Sequence, residues 1–208
     1  MRVFALVLLS CVATQASADE AAMQRFSQLN ADPVLRQQAY AAGQERIHFC
    51  GNCHGENGNS KRAHIPNLAQ QKPRYLFSAF EKFASGERTD FVMSKLAPTL
   101  SQEERVNVAL YFAQQRLLPH TGPVDEAVRQ RGELKFKTLC TGCHGAHAEG
   151  QDRTPRLAGQ PAEYLRKALT RFRDQDPSRA GSVMTTVAAD FSDAQIDSLA
   201  TYLQQLQP

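Results

Sequence analysis

The sequence predicts an all-α protein built from two tandem halves, and three observations carry this prediction. A set of short motifs occurs twice, in the same order, at offsets of 89 to 91 residues. In each copy, apolar side chains recur at helical spacing behind a capping signal. No segment shows the alternating pattern of a convincing strand.

The duplication covers much of the chain. Its matched pairs include Gly43 with Gly132, Pro66 with Pro155, Tyr75 with Tyr164, Phe83 with Phe172, Met93 with Met184 and Tyr111 with Tyr202. A chance alignment would not keep this register over about seventy positions, so we interpret the chain as a tandem duplication. Pro119, Gly122 and Pro123 break any helix between the copies. We therefore expect a first domain over residues 19–120 and a second over residues 121–208.

Corresponding helices are expected in the two halves. Capping boxes formed by Ser101 with Glu104 and by Ser192 with Gln195 predict the start of a C-terminal helix in each half. Two more helices begin with a proline in the first turn. The predicted helices ahead of the C-terminal ones run over residues 33–49, 73–85, 125–139 and 161–173, with a short additional helix over residues 20–32.

Residues 1–18 have the pattern of a secretory signal peptide. Arg2 precedes an apolar run over residues 3–13, and Ala16-Ser17-Ala18 offers a cleavage site after Ala18. The run is too short to span a bilayer, which takes about 18 or more apolar residues. We expect a soluble protein exported to a bacterial periplasm. Cys11 is discarded with the signal peptide or, in the alternative, lipidated, which would associate the protein peripherally with a membrane.

The charge pattern argues against nucleic acid as a partner. Without residues 1–18, 23 basic and 21 acidic side chains remain, so the formal net charge is +2. Residues 19–120 hold 12 basic and 10 acidic groups, and residues 121–208 hold 11 of each. Neither half carries the basic stripe that binds a phosphate backbone.

Each half contains one Cys-x-x-Cys-His motif, composed of Cys50, Cys53 and His54 in the first half and of Cys140, Cys143 and His144 in the second. A disulfide would leave the histidine without a role, and a thioredoxin-like redox motif needs a βαβ pattern that this sequence lacks. A structural zinc site needs four ligands, and each motif offers three. A covalently bound haem uses every residue, because both thiols form thioethers and the histidine ligates the iron. The sequence therefore favours two haem c groups, with disulfides and zinc as the alternatives.

We expect the sixth iron ligand in each half to be a methionine. Beyond the signal peptide the chain has three methionines, at positions 23, 93 and 184. Met93 follows His54 by 39 residues, Met184 follows His144 by 40, and each precedes a capping serine by eight. A methionine that only fills the core is the alternative, but it does not account for the duplicated position. Met93 and Met184 are therefore the predicted axial ligands.

Two further sets of residues are expected around these sites. Pro66 and Pro155 follow the motif histidines by twelve and eleven residues, and their carbonyls are candidates to accept the imidazole Nδ1–H. A rigid turn is the alternative role of these prolines, and the two roles are compatible. The remaining histidines are expected in solvent or at a haem edge rather than on iron, and they are His48, His64, His120 and His147.

Taken together, these residues resemble the class I cytochromes c, and the tandem arrangement resembles the di-haem cytochromes c4. In the second half Gly132, Phe136 and Cys140 are spaced four and four, as in the class I pattern, with Tyr202 expected opposite them. The first half departs from this pattern, because Ile47 replaces the aromatic residue. The resemblance covers nearly all of residues 34–206. It implies two cytochrome c domains, each wrapped around one covalently attached haem.

The resemblance also implies a function. It indicates a periplasmic electron carrier, not an enzyme, that exchanges electrons with a quinol-oxidising complex, a terminal oxidase or a periplasmic reductase or dehydrogenase. Closure of both iron sites by methionine fits a carrier, since no position is left for a substrate. The alternative is the di-haem subunit of a flavocytochrome sulfide dehydrogenase or of another di-haem oxidoreductase.

Overall fold

A computed structural model describes residues 19–207, so the predicted signal peptide and Cys11 lie outside the described residues. The helices are α1 (19–31), α2 (Pro33–Arg46), α3 (His48–His54), α4 (Pro73–Ser85), α5 (Met93–Leu96), α6 (Gln102–Ala113), α7 (Glu126–Leu139), α8 (Thr141–His144), α9 (Ala162–Arg173), α10 (Met184–Val187) and α11 (Asp193–Gln205). Among the described residues the only β pairing is an isolated bridge between Gln151 and Thr154. The all-α prediction is confirmed. None of the described helices is both long enough and apolar enough to cross a bilayer.

The first half is organised by the crossing of α2 and α6, with α4 packed against α6. Asp32 caps α2 by accepting from the backbone N–H groups of Val34 and Leu35. Ser101 and Glu104 form the predicted capping box at the start of α6. The additional helix α1 buries Phe26 against this core, where its ring meets Phe77 edge-on at 5.9 Å. The first half therefore gains core from a segment outside the duplication.

The second half repeats this arrangement. Helices α7 and α11 cross, and α9 packs against α11. Asp125 caps α7 through the N–H groups of Ala127 and Val128, as Asp32 does for α2. The predicted capping box of Ser192 and Gln195 is present. One apolar core lies among α1, α2, α4 and α6 and the other among α7, α9 and α11, on either side of residue 120.

Four predicted helices have different bounds in the structure, and two of them, predicted over residues 20–32 and 125–139, differ by no more than one residue at either end. The segment predicted as one helix over residues 33–49 is two helices, because Ile47 leaves helical geometry at φ −82° and ψ 1°. The Ile47 side chain is only 5 % exposed, so its place in the core compensates for the broken helix. Pro161 precedes α9 as its N-cap instead of lying in the first turn. Neither the N-cap nor the first turn of a helix needs a backbone N–H for an intrahelical hydrogen bond, and proline therefore fits both. The sequence alone does not distinguish these two positions.

A buried polar layer joins the two halves. Tyr164 N–H donates to the Ala63 carbonyl at 3.0 Å. The Arg156 side chain is 1 % exposed, and its guanidinium donates to the backbone carbonyls of Ala69 and Ala158. Buried hydrogen bonds of this kind favour a single mutual arrangement, because a slip would leave their donors and acceptors unpaired. The two halves are therefore held in a defined contact.

Candidate haem-binding sites

The first motif forms a short helix of its own. Cys50, Cys53 and His54 all lie on α3, which ends at Gly55. Gly55 has φ +77°, and a β-carbon there would collide with the Asn59 backbone. Glycine therefore allows the chain to reverse directly after the histidine. In the second half Cys143 and His144 lie on α8, and Gly145 ends it at φ +82°.

Both motif histidines contact the carbonyls expected from the sequence. His54 Nδ1 lies 2.9 Å from the Pro66 carbonyl oxygen, and His144 Nδ1 lies 2.9 Å from that of Pro155. A carbonyl can only accept, so each Nδ1 carries the proton. The lone pair of the neutral ring is then on Nε2, which is the arrangement of a histidine metal ligand whose other nitrogen is fixed.

The surroundings favour the neutral form of these imidazoles. Burial lowers the pKa of His54, and the hydrogen bond to Pro66 opposes it only in part. Burial likewise lowers the pKa of His144, which is only 6 % exposed. A neutral imidazole is the form that binds iron. The residues present therefore fit the iron-binding role.

The four motif cysteines form no disulfide in the structure. Cys50 and Cys140 are half-buried and pack against the cores of their own halves. Burial raises the pKa of the Cys50 thiol and raises that of Cys140 to about 11. Across residues 19–207, no three histidine, cysteine or acidic side chains cluster as a metal-binding group. The free thiols fit thioether attachment of a haem.

Met93 and Met184 occupy corresponding places. Met93 is the first residue of α5 and packs, half-buried, against the first core. Met184 is the first residue of α10, which packs on α9. In both halves the backbone N–H of the methionine donates to a preceding polar side chain. Met93 N–H donates to Asp90 Oδ1 at 3.2 Å, and Met184 N–H donates to Ser182 Oγ at 3.3 Å. The backbone of each methionine is therefore fixed at a helix start.

The other four histidines are exposed, as expected, and they are His48, His64, His120 and His147. The helix crossing in the first half is different from the expected pattern. Tyr40 replaces the missing aromatic at Ile47, and its ring lies 5.1 Å from that of Tyr111. In the second half the expected pair forms, with Phe136 5.7 Å from Tyr202. Tyr40 lies seven residues, about two helical turns, before Ile47, where the class I pattern places no aromatic residue, so the sequence pattern did not reveal it.

A second cluster was missed from the sequence. At the contact between the halves, the Tyr164 hydroxyl lies close to the guanidinium groups of Arg88 and Arg179, and Arg88 also lies close to Tyr75. Burial opposes ionisation of Tyr164, yet the two cations outweigh it and hold its pKa below the ordinary value. Burial lowers the pKa of Arg179, and the charge of Arg88 adds to this effect. Arg88 and Arg179 are 91 residues apart, as are Met93 and Met184. This shared offset marks the two arginines as a duplicated pair, and it is the sequence signal that could have revealed them.

The fold and the two sites define a di-haem c-type cytochrome. The sequence model of the cytochrome c family matches residues 130–207. Cytochrome c4 of Pseudomonas aeruginosa is 35% identical over 178 residues, covering 80% of this chain and 88% of that protein. The crystal structure of reduced cytochrome c4 from Pseudomonas stutzeri superposes with a TM-score of 0.74 at 33% identity, covering 80% of this chain and 98% of that one. The chain belongs to the cytochrome c4 family.

Relatives with other names are also similar. A thiosulfate dehydrogenase electron acceptor of Thiomonas intermedia is 31% identical over 186 residues, covering 82% of this chain and 85% of that protein. With the family established, Cys50 and Cys53 in one half and Cys140 and Cys143 in the other fit two covalently bound haem c groups. Each haem supplies a one-electron couple between ferrous and ferric iron. The protein is therefore a di-haem electron-transfer cytochrome with redox proteins as partners.

Proposed function

We propose that this protein is a periplasmic carrier that takes electrons from a quinol-oxidising complex and delivers them to a terminal oxidase. It has two closed iron sites, with His54 and Met93 as axial ligands in one half and His144 and Met184 in the other. The observation that supports this most directly is the pair of Nδ1–carbonyl contacts at 2.9 Å to Pro66 and Pro155. They orient one imidazole in each half, and burial favours its neutral form.

The chain's own groups have distinct roles in this proposal. Thioethers from the four motif cysteines prevent loss of the haem, and Pro66 and Pro155 orient the axial imidazoles. Met93 and Met184 close the sixth position, so the iron changes oxidation state without binding a substrate. The leader over residues 1–18, cut after Ala18, directs export. Residues 19–120 and 121–208 are then one domain for each haem.

The arginine–tyrosine cluster between the halves suits the remaining polar groups of the cofactor. Haem carries propionate carboxylates, and guanidinium and phenol groups are strong donors to carboxylates. We therefore propose that haem propionates at the contact between the two halves are held by Arg88, Arg179, Tyr75 and Tyr164. Their positive charge also favours the ferrous form, because that form carries one positive charge less.

Exposed apolar side chains next to the ligands suit brief contacts with redox partners. Phe49 is 72 % exposed beside Cys50, and Phe91 is 83 % exposed two residues before Met93. Val183, which precedes Met184, is 75 % exposed. Redox partners form small and weak interfaces, so a few apolar side chains around each site are sufficient for a transient complex.

A second candidate function follows from the relatives. Two of them, from Thiomonas intermedia and Stutzerimonas stutzeri, are named thiosulfate dehydrogenase electron acceptors. The same closed sites would serve a carrier that accepts electrons from a thiosulfate dehydrogenase. A flavocytochrome sulfide dehydrogenase subunit is the third candidate, and it requires a flavoprotein partner.

Stopped-flow mixing distinguishes these donors and acceptors. We expect the reduced protein to be oxidised by membranes that contain a terminal oxidase, and cyanide to abolish that oxidation. We expect the oxidised protein to be reduced by membranes supplied with quinol. If quinol membranes leave it oxidised while thiosulfate dehydrogenase with thiosulfate reduces it rapidly, the second candidate replaces the first. Bovine serum albumin in place of the membranes controls for non-specific redox change.

A further inference from the structure

Two buried glutamines connect the halves in a reciprocal way. Gln71 and Gln160 are each only 3 % exposed and occupy matching positions in the duplication, 89 residues apart. Gln160 Oε1 accepts from the Asn67 N–H at 2.9 Å, and its Nε2 donates to the Asn67 carbonyl at 2.8 Å. Gln71 Oε1 accepts from the Arg156 N–H at 2.7 Å, and its Nε2 donates to the Arg156 carbonyl at 3.0 Å. Each side chain therefore pairs with the backbone of the opposite half.

The peptide groups that these glutamines hold are the ones that bind the motif histidines. The Pro66 carbonyl and the Asn67 N–H belong to a single peptide group. Its oxygen accepts from His54 Nδ1, and its N–H donates to Gln160. In the second half, the peptide between Pro155 and Arg156 likewise joins His144 to Gln71. Two hydrogen bonds thus connect each histidine to a glutamine of the other half.

Hydrogen bonds in such a chain strengthen one another. An acceptor on a peptide N–H draws electron density toward the carbonyl, so the oxygen becomes a better acceptor for the imidazole N–H. A stronger bond at Nδ1 makes the imidazole a more basic ligand through Nε2. A more basic ligand favours ferric over ferrous iron, because ferric iron is the more electron-poor state. The interior location increases the effect, since low dielectric strengthens these bonds.

We propose that Gln71 and Gln160 are positioning residues, each of which sets the hydrogen bond on the axial histidine of the opposite half. Gln160 thereby lowers the reduction potential of the first-half haem, and Gln71 lowers that of the second-half haem. This inference rests on the proposed function, because it requires His54 and His144 to ligate iron. On this proposal, the contact between the halves helps to set the reduction potentials of both haems. Separation of the halves would therefore shift both potentials.

The test replaces each glutamine by methionine in the protein carrying both haems. Methionine is unbranched and of similar size, but it has no N–H to donate and its thioether is only a weak acceptor. In spectroelectrochemical titrations, Gln160→Met should raise the potential of the first-half haem, with a drop of about two- to threefold in its ferric-to-ferrous ratio at fixed potential. Gln71→Met should do the same for the second-half haem only. The NMR signals of the axial histidine on the affected haem should shift in parallel.

Three further variants complete the design. Gln160→Glu keeps an acceptor for the Asn67 N–H in either protonation state, so the first-half potential should not rise. Asp152→Asn removes an exposed ion pair between the halves, Arg74 to Asp152 at 3.1 Å, and should leave both potentials unchanged. Met93→Ala changes the first-half haem alone, which assigns each titration step. If Gln160→Met fails to fold, Gln71→Met carries the same test with the halves exchanged.

The outcomes separate this inference from the proposed function. If Gln160→Met shifts both haems equally, or only the second, the glutamine has a structural role and the inference is overturned. The same holds if Gln160→Glu raises the first-half potential as methionine does. If the unsubstituted ferric protein lacks paramagnetically shifted signals from His54 and His144, the ligand assignment itself fails. That result would overturn the proposed iron sites, whatever the glutamine variants show.

Discussion

Replacement of Met93 by alanine is expected to open one haem and leave the other closed. Met93 begins α5 and packs half-buried against the first core, and its loss removes the thioether proposed to close the sixth iron position. The reduced variant should bind one carbon monoxide per chain, whereas the unsubstituted protein binds none. The ferric variant should lose about half of the near-infrared methionine–iron band, because one of two identical ligand sets remains.

The duplication supplies the companion variants. Met184→Ala should open the second-half haem alone, and the double variant should bind two carbon monoxide molecules. Met23→Ala is a matched control, since Met23 also packs partly buried against the first core and has no counterpart in the second half. It should bind none. The assignment is wrong if Met93→Ala binds no carbon monoxide while its haem remains attached, or if Met23→Ala binds it.

Gly132→Ala is expected to destabilise the second half strongly. Gly132 lies where α7 crosses α11, and an added β-carbon would collide with the Ser198 carbonyl and lie 2.8 Å from the Tyr202 β-carbon. Because these are atoms of a packed helix, they cannot move away without opening the crossing. Overpacking of this kind costs about 3 kcal/mol. Denaturant unfolding of the protein carrying both haems measures the loss.

Two other glycines calibrate this result. Gly43 holds the corresponding place between α2 and α6, where a β-carbon would lie 2.9 Å from that of Tyr111, so Gly43→Ala should be similarly destabilising in the first half. Gly142 lies in α8, and beyond its chain neighbours and its own helix backbone no atom lies within 4 Å of an added β-carbon. Gly142→Ala should therefore be neutral or stabilising by roughly 0.5 kcal/mol. Equal stabilities of Gly132→Ala and Gly142→Ala would show that the close helix contact does not matter.

Features that depend on nearby sequence could be predicted. The capping boxes at Ser101 and Ser192 use residues three positions apart, so their signal is complete within one turn. The turns that bring Pro66 to His54 and Pro155 to His144 are short, and the repeat shows each of them twice. The all-α class followed from the same local patterns. These parts of the fold and of the candidate sites were therefore accessible without coordinates.

Features that depend on contacts between distant segments could not be predicted. Gln71 and Gln160 appear in sequence as unremarkable polar residues, because their partners lie 85 and 93 residues away in the other half. The break at Ile47 occurs because the core accepts its side chain, and propensity does not report this. The contact between the rings of Tyr40 and Tyr111 likewise depends on how two distant helices pack. Packing across the chain, rather than local preference, decides these positions.

The proposed function depends on two closed one-electron sites in each chain. An anaerobic reductive titration of the purified protein under carbon monoxide, followed optically, tests it directly. We expect uptake of two electrons per chain and a low-spin ferrous spectrum that carbon monoxide leaves unchanged. Uptake of one electron, or conversion of either haem to a carbon monoxide complex, would contradict the proposed function.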